Sequence, residues 1–290
     1  MFTRGPPLAE NNHNEYGVHP FYTVLESDGK AHGILFLNSN SMEYTLLPEP
    51  ALSLKSLGGV LDFFVFIGDN PEHVIQLYTS VVGRTTMPPF WGLGYQLCRY
   101  GFKTTQSMRD VLDRNIKEKV PLDVMYCDID YMDRFEDFTY DKKAFAGLPE
   151  LFHDMTTKNN IHWTVILDPI IEANNPNYTS FNEGYKQDVF IKWAKDVAVK
   201  DRHNPPGVPT DKDTYYGRMW PSGPAGFPDF LKNSTNVWWT NQVKNFHAAI
   251  WGGSNRQLSA DSVCMKTTQG DNEEYSHYDV HSLYGLTEQV

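Results

Sequence analysis

Two aspartates stand one residue apart where an apolar run ends, in the segment Asp128-Ile129-Asp130. The run from Leu122 to Ile129 predicts a strand, and the alternation of side chains along a strand would place both aspartates on one face. Carboxylates at such a point could bind the hydroxyl groups of a sugar, hold a metal ion or transfer protons. The structural alternative is that Asp130 caps the following turn and pairs with Arg134.

A third aspartate repeats this pattern. Asp168 directly follows the apolar run from Trp163 to Leu167, so it would lie at the end of another strand. In parallel α/β folds the carboxyl ends of the strands face the active site. Asp168 could therefore join the same site, or it could cap a turn before Pro169.

Aromatic residues lie near these carboxylates in predicted loops. Tyr100 follows the apolar run from Trp91 to Cys98, and Trp220 lies in the long segment 169–230, which is rich in Pro, Gly and Asn. Either ring could stack on a sugar, or it could serve only to pack its own loop. Carboxylates with aromatic rings, and without a basic pocket, favour a neutral polyhydroxy substrate over a phosphorylated one.

The elements that would position these residues alternate between strand and helix. The predicted order is strand 91–98, helix 106–119, strand 122–129, helix 148–158, strand 163–167 and helix 234–249. Thr104 or Thr105 would cap the first of these helices, and Ser234 the third. Strands and helices at this spacing form parallel, right-handed βαβ units. We therefore expect the candidate residues to meet at the carboxyl edge of one sheet.

The first 90 residues have a different character. Their β-type runs are 21–25, 33–37 and 61–67. Turn residues separate these runs, and one helix is predicted from Pro71 to Val82, with Asn70 in its cap and Gly83 at its end. Met87-Pro88-Pro89 then interrupts the chain, which indicates a domain boundary.

The composition excludes several classes of function. The 290 residues carry a formal net charge of -11, whereas a nucleic-acid partner would need a basic face. No run approaches the roughly 18 apolar residues of a membrane helix, and the first residues lack the features of a signal peptide. Three cysteines are too few for a disulfide scaffold. No nucleotide, zinc-protease or serine-hydrolase motif occurs, so neither a metal nor another cofactor is expected.

Two triplets fit the pattern for N-glycosylation, and they begin at Asn177 and Asn233. Such triplets carry glycans only in a lumenal setting, and they also occur by chance.

A series of short motifs runs through the chain in a fixed order. They are Tyr16–Tyr22, His32–Asn40, Gly58–Phe63, Met87–Trp91, Gln96–Gly101, Asp128–Asp133, Asp137–Thr139, Ile166–Pro169, Trp220–Pro221 and Phe227–Phe230. In this order the series resembles glycoside hydrolase family 31, the α-glucosidases. An ordered series is far more specific than any one of its motifs.

The resemblance implies an α/β fold with an N-terminal all-β part. Residues 1–86 would be the C-terminal part of an N-terminal β-sandwich. Residues 87–250 would form the first three βα units of a TIM-type (β/α)8 barrel, and residues 251–290 an irregular remnant of a further barrel segment.

The resemblance also implies a glucose subsite. Its substrate-binding positions are Tyr100, Asp128, Ile129, Ile166 and Trp220. Asp128 would hold hydroxyl groups of the non-reducing glucose and Trp220 would wall the pocket, while Asp130 and Asp168 would support it. The implied partners are α-glucoside oligosaccharides such as maltose and fragments of starch, whose terminal α-1,4 bonds the family hydrolyses with retention. The parent family belongs to the secretory pathway, in lumenal, cell-surface or lysosomal settings.

One departure from the family concerns catalysis. The family nucleophile lies in a Trp-Ile-Asp-Met-Asn-Glu motif, where this chain reads Ala248 to Gly253 instead, and the family's acid/base segment would follow Val290. Retaining glycosidases need two carboxyls about 5–5.5 Å apart, so no catalytic residue is assigned. The chain is expected to be a catalytically incomplete fragment or splice product of an α-glucosidase. The alternative is a non-catalytic carbohydrate-binding or structural remnant.

Overall fold

We describe the fold from a computed structural model of the chain. The described residues are 19–48, 51–202, 204–218, 220–221 and 223–250, with the backbone of 268–269 and 275–276. They fall into two compact units, the second of which begins at Met87. In these ranges no helix is long and apolar enough to cross a membrane.

The first unit contains a small antiparallel sheet and a helix. Its elements are β1 (Phe21–Leu25), β2 (Ala31–Phe36), β3 (Met42–Leu47), β4 (Ala51–Ser56), β5 (Phe63–Gly68) and α1 (Pro71–Val82). One sheet has the strand order β1-β2-β5, and β3 pairs with β4 as a separate hairpin. Val74 of α1 is fully buried in a cluster with Leu35 and Phe66, so the helix covers one face of the three-stranded sheet.

The opposite face of this sheet carries an open apolar stripe along β5. Alternation along the strand directs Phe63, Val65 and Ile67 away from α1, and these side chains are 49%, 59% and 76% exposed. In the described part of the chain β5 pairs with β2 alone, which leaves its outer edge unpaired. The sheet therefore has one covered and one open apolar face.

Local signals set both ends of α1. The side chain of Asn70 accepts a hydrogen bond from the backbone N–H of His73 at 2.8 Å, and Pro71 occupies the first turn. Gly83 ends the helix with a φ of 92°, which a residue with a Cβ rarely adopts. The helix predicted from Pro71 to Val82 is confirmed.

The second unit alternates strands with helices. Its elements are β6 (Tyr95–Leu97), α2 (Thr105–Lys117), β7 (Leu122–Cys127), α3 (Leu148–Asn159), β8 (His162–Val165), β9 (Ile171–Glu172), α4 (Thr179–Lys186), β10 (Tyr216–Gly217), β11 (Ala225–Gly226) and α5 (Asn233–Ile250). The first three strands form a parallel sheet in the order β6-β7-β8. A smaller antiparallel sheet has the order β10-β11-β9. Beyond α5, only β12 (Thr268–Gln269) and β13 (Tyr275–Ser276) are described, as an antiparallel pair that belongs to the first unit and not to the second. The rest of the predicted 251–290 remnant lies outside the described residues.

Helices α2 and α3 contribute to the core that includes the parallel sheet. Met108 and Leu112 of α2, Phe152 of α3 and Met125 of β7 are all fully buried in one apolar cluster. The ring of Phe152 stacks on Trp163 of β8 with 4.2 Å between ring centroids. The side chain of Thr104 caps α2 by accepting the N–H of Ser107 at 3.1 Å.

The first predicted strand of this unit is wrong over half its length. Phe90–Leu93 form a 3-10 turn after Pro89, and the N–H of Gly92 bonds the carbonyl of Pro89 at 2.8 Å. Only Tyr95–Leu97 pair with β7, and Tyr95 is 45% exposed, so the strand is not buried on both faces. Two prolines followed by glycines favour a turn at this point over an extended backbone.

The second and third predicted strands end two residues too late. β7 stops at Cys127, because Asp128 caps a 3-10 turn over Ile129–Tyr131, and β8 stops at Val165. The alternation argument for Asp128 and Asp130 is therefore wrong, although both follow the carboxyl end of β7. Ser234 is not the cap of α5 either, because the helix already begins at Asn233.

Replacing the ring at the α3–β8 contact should measure the contribution of this core. We expect Phe152→Ala to lower the free energy of unfolding by about 3–5 kcal/mol, since the ring is fully buried and leaves a cavity. Urea denaturation followed by circular dichroism gives the value. Thr157→Ala, at an exposed position of the same helix, should change it by less than about 0.5 kcal/mol. Equal losses in the two variants would contradict this description of the core.

Candidate functional site

Asp128, Asp168 and Trp220 converge beyond the carboxyl ends of the parallel strands. The indole of Trp220 lies near enough to the carboxylate of Asp168 to influence its pKa. Burial raises the pKa of Asp168, the proximity of the indole opposes this rise, and the nearby negative charge of Asp128 adds to it. The structure thus brings together two carboxylates and one aromatic ring from three separate segments.

The two aspartates after β7 have different contacts. Asp128 accepts the N–H of Ile129 at 2.7 Å, which fixes the turn at the end of the strand. Asp130 accepts the N–H of Lys103 at 2.8 Å and so ties the loop after β6 to that turn. The proposed pairing of Asp130 with Arg134 is wrong, because Arg134 turns to two glutamates instead.

The other predicted residues line the same rim to different extents. Tyr100 is 60% exposed in the loop after β6. Ile129 and Ile166 are half-buried and pack against the main core. The carbonyl of Ile166 accepts a hydrogen bond from the hydroxyl of buried Tyr131 at 2.9 Å, which holds the end of β8 against the turn after β7.

A hairpin carries Trp220 to Asp168. Strands β10 and β11 pair with each other, and the connection 218–224 between them includes Trp220, which is 52% exposed. β11 in turn pairs with β9, which begins three residues after Asp168, and the N–H of Ala173 bonds the carbonyl of Pro224 at 2.7 Å. The small sheet therefore fixes the distance between the tryptophan and the end of β8.

Sequence reasoning missed the residue that orders this loop, Asp137. It is 1% exposed, and each of its carboxyl oxygens lies 3.1 Å from the backbone nitrogen of Asp168. The N–H of Ile170 in turn bonds the carbonyl of Asp168 at 2.7 Å. The hydroxyl of Tyr178 donates to the carbonyl of Asp137 at 2.8 Å. Burial raises the pKa of Asp137 to about 8, although the bond from the N–H of Asp168 opposes this rise.

A signal for Asp137 was present in the motif Asp137-Phe138-Thr139, to which the sequence analysis gave no role. An acidic residue followed by an aromatic one gives no indication of which backbone groups it will meet. Its partners lie 31 positions along the chain, so only the folded loop reveals the contact.

The arrangement suits a neutral, hydroxyl-rich ligand. Half-exposed carboxylates accept hydrogen bonds from hydroxyl groups, and exposed aromatic rings offer an apolar face. Within the described ranges, no group of three or more His, Cys, Asp or Glu side chains is arranged to hold a metal ion. Cys127 is buried and Cys98 exposed, and neither is in a disulfide; Cys264 lies outside the described residues.

Comparisons with known proteins identify the family that this chain resembles. The family described as "Glycosyl hydrolases family 31 TIM-barrel domain" matches residues 85–290. The chain is 34% identical to intestinal sucrase-isomaltase of Oryctolagus cuniculus over 99% of its own length and 18% of the relative. It is 36% identical to lysosomal alpha-glucosidase of Rattus norvegicus over 96% of its length and 31% of the relative. The chain thus spans less than a third of these relatives.

Solved structures show the same fold. A family 31 alpha-glucosidase from Bacteroides thetaiotaomicron superposes with a TM-score of 0.66 at 31% identity, over 80% of this chain and 36% of that one. A cycloalternan-degrading enzyme from Trueperella pyogenes in complex with isomaltose gives a TM-score of 0.65 over 87% of this chain and 38% of that one. At 16% identity the second likeness shows the fold alone.

Asp137 should make stability depend on pH with a definite sign. The pKa of Asp137 is about 8 in the folded chain, whereas its ordinary value is 3.8. The stability that Asp137 contributes to the folded state is therefore complete below pH 3.8 and is lost as the pH rises to about 8. Asp137→Asn keeps an acceptor oxygen but does not titrate, so its free energy of unfolding should fall less between about pH 5 and pH 8.5 than that of the wild type.

Asp137→Ala provides the comparison for this measurement. It leaves the half-buried N–H of Asp168 without its acceptor, and we expect the free energy of unfolding to fall by about 1–3 kcal/mol at pH 5. Urea unfolding at both pH values gives the free energy of unfolding of the wild type, of Asp137→Asn and of Asp137→Ala. An Asn variant with the full wild-type pH dependence would show that Asp137 does not titrate as described.

Proposed function

The chain belongs to glycoside hydrolase family 31, in the α-glucosidase lineage, and from this membership we propose that it binds the terminal glucose of α-glucosides at the carboxyl ends of β6, β7 and β8. The observation that carries the proposal is the meeting of Asp128, Asp168 and Trp220 there. Two carboxylates beside an exposed indole provide both hydrogen-bond acceptors and a stacking face for a sugar ring.

Each residue has a distinct proposed role. Asp128 accepts hydrogen bonds from glucose hydroxyls, and the exposed ring of Trp220 forms a wall of the subsite. Tyr100 forms a second aromatic side, and the half-buried Ile129 and Ile166 form its apolar floor. Asp130 and Asp168 support the subsite, the first through the N–H of Lys103 and the second through its position beside the indole of Trp220.

The substrate class follows from the lineage and from the two carboxylates of the predicted site, Asp128 and Asp168. Relatives named sucrase-isomaltase, maltase-glucoamylase and lysosomal alpha-glucosidase all carry names of enzymes that act on glucosides. We infer maltose and starch-derived oligosaccharides as ligands. In the complete enzyme they would be hydrolysed with retention through a pair of carboxyls about 5–5.5 Å apart.

The same lineage suggests the larger architecture. We infer that the first unit is the end of a β-sandwich and that β6, β7 and β8 with their helices are the first three βα units of a (β/α)8 barrel. The intestinal and lysosomal relatives suggest a secretory-pathway location, in which Asn177 and Asn233 would carry glycans. Both asparagines are exposed, although the hydroxyl of Thr235 in the second triplet is buried against the carbonyl of Val189.

Sugar binding should depend on the tryptophan of the site and not on tryptophan in general. Trp220→Ala should weaken maltose binding roughly tenfold, because an aromatic face contributes about 1–1.5 kcal/mol. Trp91→Ala is the matched control: this ring stacks on His162 at 4.2 Å, at the amino ends of the strands. Isothermal titration calorimetry with maltose measures the dissociation constant of the wild type and of the two variants. A wild-type chain that binds no maltose, or equal weakening in the two variants, would refute the site.

The 290-residue chain by itself should not hydrolyse maltose above background. The family nucleophile motif does not occur in its sequence, and the aspartates near the strand ends have structural contacts. Loss of such a group costs on the order of 10⁴-fold or more in rate. The measurement is release of glucose by purified chain, beside Asp128→Asn. Turnover that disappears in this variant would reveal a catalytic carboxylate that the proposal does not contain.

A further inference from the structure

Two buried glutamates lie directly behind the candidate site. Glu136 is 3% exposed and Glu172, in β9, is 1% exposed. Oε1 of Glu172 accepts a bond from Nη2 of Arg134 at 2.8 Å, and Oε1 of Glu136 accepts the side-chain N–H of Asn175 at 2.7 Å. Oε2 of Glu172 is buried and meets no hydrogen-bond donor among the described residues.

The charges of this cluster do not balance if both glutamates are ionised. Arg134 lies 3.3 Å from Glu136 and 2.8 Å from Glu172, so a single cation faces two carboxylates. A second buried negative charge is costly, and an ionised Glu136 has no proton to offer the bare oxygen of Glu172. A protonated Glu136 removes the second negative charge. It also supplies a donor for Oε2 of Glu172, because the two side chains lie within hydrogen-bond reach.

The surroundings favour this protonated form. Burial raises the pKa of Glu136 to about 7, the bond from Asn175 opposes the rise, and the contact with Glu172 adds to it. The other titratable or charged groups facing the cluster are Arg134, Asp133, Asp137 and Tyr178. Of these, Arg134 is the one cation, so the cluster as a whole is short of positive charge.

The cluster is connected mechanically to the hairpin that carries Trp220. Glu172 pairs with Ala225 across β9 and β11. The backbone of Gly223 lies so close that a Cβ there would come within 2.7 Å of Oε1 of Glu172. Glu136 directly precedes Asp137, which holds the N–H of Asp168. Movement of either carboxylate would therefore displace the loop of Asp168 or the hairpin.

The backbone of Arg134 and Phe135 forms a strained turn beside the two glutamates. Arg134 and Phe135 have φ angles of 56° and 61°, a region that residues with a Cβ seldom occupy. Such strain persists only where the surrounding contacts enforce it, and the contacts here are those of Arg134 with the two glutamates.

We propose that Glu136 and Glu172 share one proton, and that this carboxyl–carboxylate pair positions the hairpin of Trp220 against Asp168. Glu136 and Glu172 are positioning residues and do not themselves touch the sugar. When Glu136 loses the proton, the two carboxylates repel each other and the hairpin loosens. The consequence for sugar binding rests on the proposed function, whereas the loosening of β9 and β11 does not.

Hydrogen exchange of the backbone amides in β9 and β11 tests the pair without any ligand. In the wild-type chain we expect protection, corrected for the intrinsic rate, to fall severalfold between about pH 5.5 and pH 8. Glu136→Gln should show a much smaller fall, because the introduced amide donates to Glu172 at every pH. Asp137 titrates in the same range, so the difference between the two chains isolates Glu136.

Two further variants complete the test. Glu136→Ala has no donor, and we expect low protection of β9 and β11 at both pH values. Glu118→Gln, at an exposed position after α2, should follow the wild type. An equal fall in wild type and Glu136→Gln, or no fall in the wild type, would overturn the proposal. Maltose titrations at both pH values then test the proposed function separately, since a chain that never binds maltose can still show the exchange pattern.

Discussion

The geometry of the candidate site depends on one buried carboxyl that accepts a backbone N–H group. Asp137 accepts the N–H of Asp168, whose carbonyl accepts the N–H of Ile170, and these bonds determine how the chain leaves β8. β9 follows this exit directly, and the hairpin with Trp220 pairs onto β9. A single polar contact in an apolar interior thus determines the position of two site residues. Water does not readily replace this bond, because Asp137 is buried and Asp168 is half-buried.

Acidic groups in this region differ in their burial and in their partners. Asp137 and Glu136 are buried and have raised pKa values, while Glu172 is paired with Arg134. The half-exposed Asp128 and Asp168 lie nearer to water. The candidate site therefore combines buried carboxyls that hold the framework with half-exposed ones that solvent can reach. The surrounding negative charge favours a neutral sugar over a phosphorylated one.

The sequence could predict the elements that local signals determine. α1 has its cap, its proline and its terminal glycine within a few residues of each other, and α2 has its threonine cap, so both are found in place. The apolar runs predict the ends of β7 and β8 two residues too late. At β7 the reason is that Asp128 accepts the N–H of Ile129 and turns the chain, a contact that an apolar run does not indicate. The cluster of Arg134, Glu136 and Glu172 joins positions 38 residues apart, and no periodic pattern encodes such a contact.

The open stripe of Phe63, Val65 and Ile67 offers an apolar surface on which copies of the chain can associate in concentrated solution. A net charge of -11 keeps the copies apart while its repulsion reaches about 10 Å, as it does near 0.1 M salt. At 1 M salt the reach shrinks to about 3 Å, and apolar surfaces and the unpaired edge of β5 are then free to meet. We therefore expect the colloidal stability of this chain to fall with rising ionic strength, through a surface that contains none of the proposed site residues.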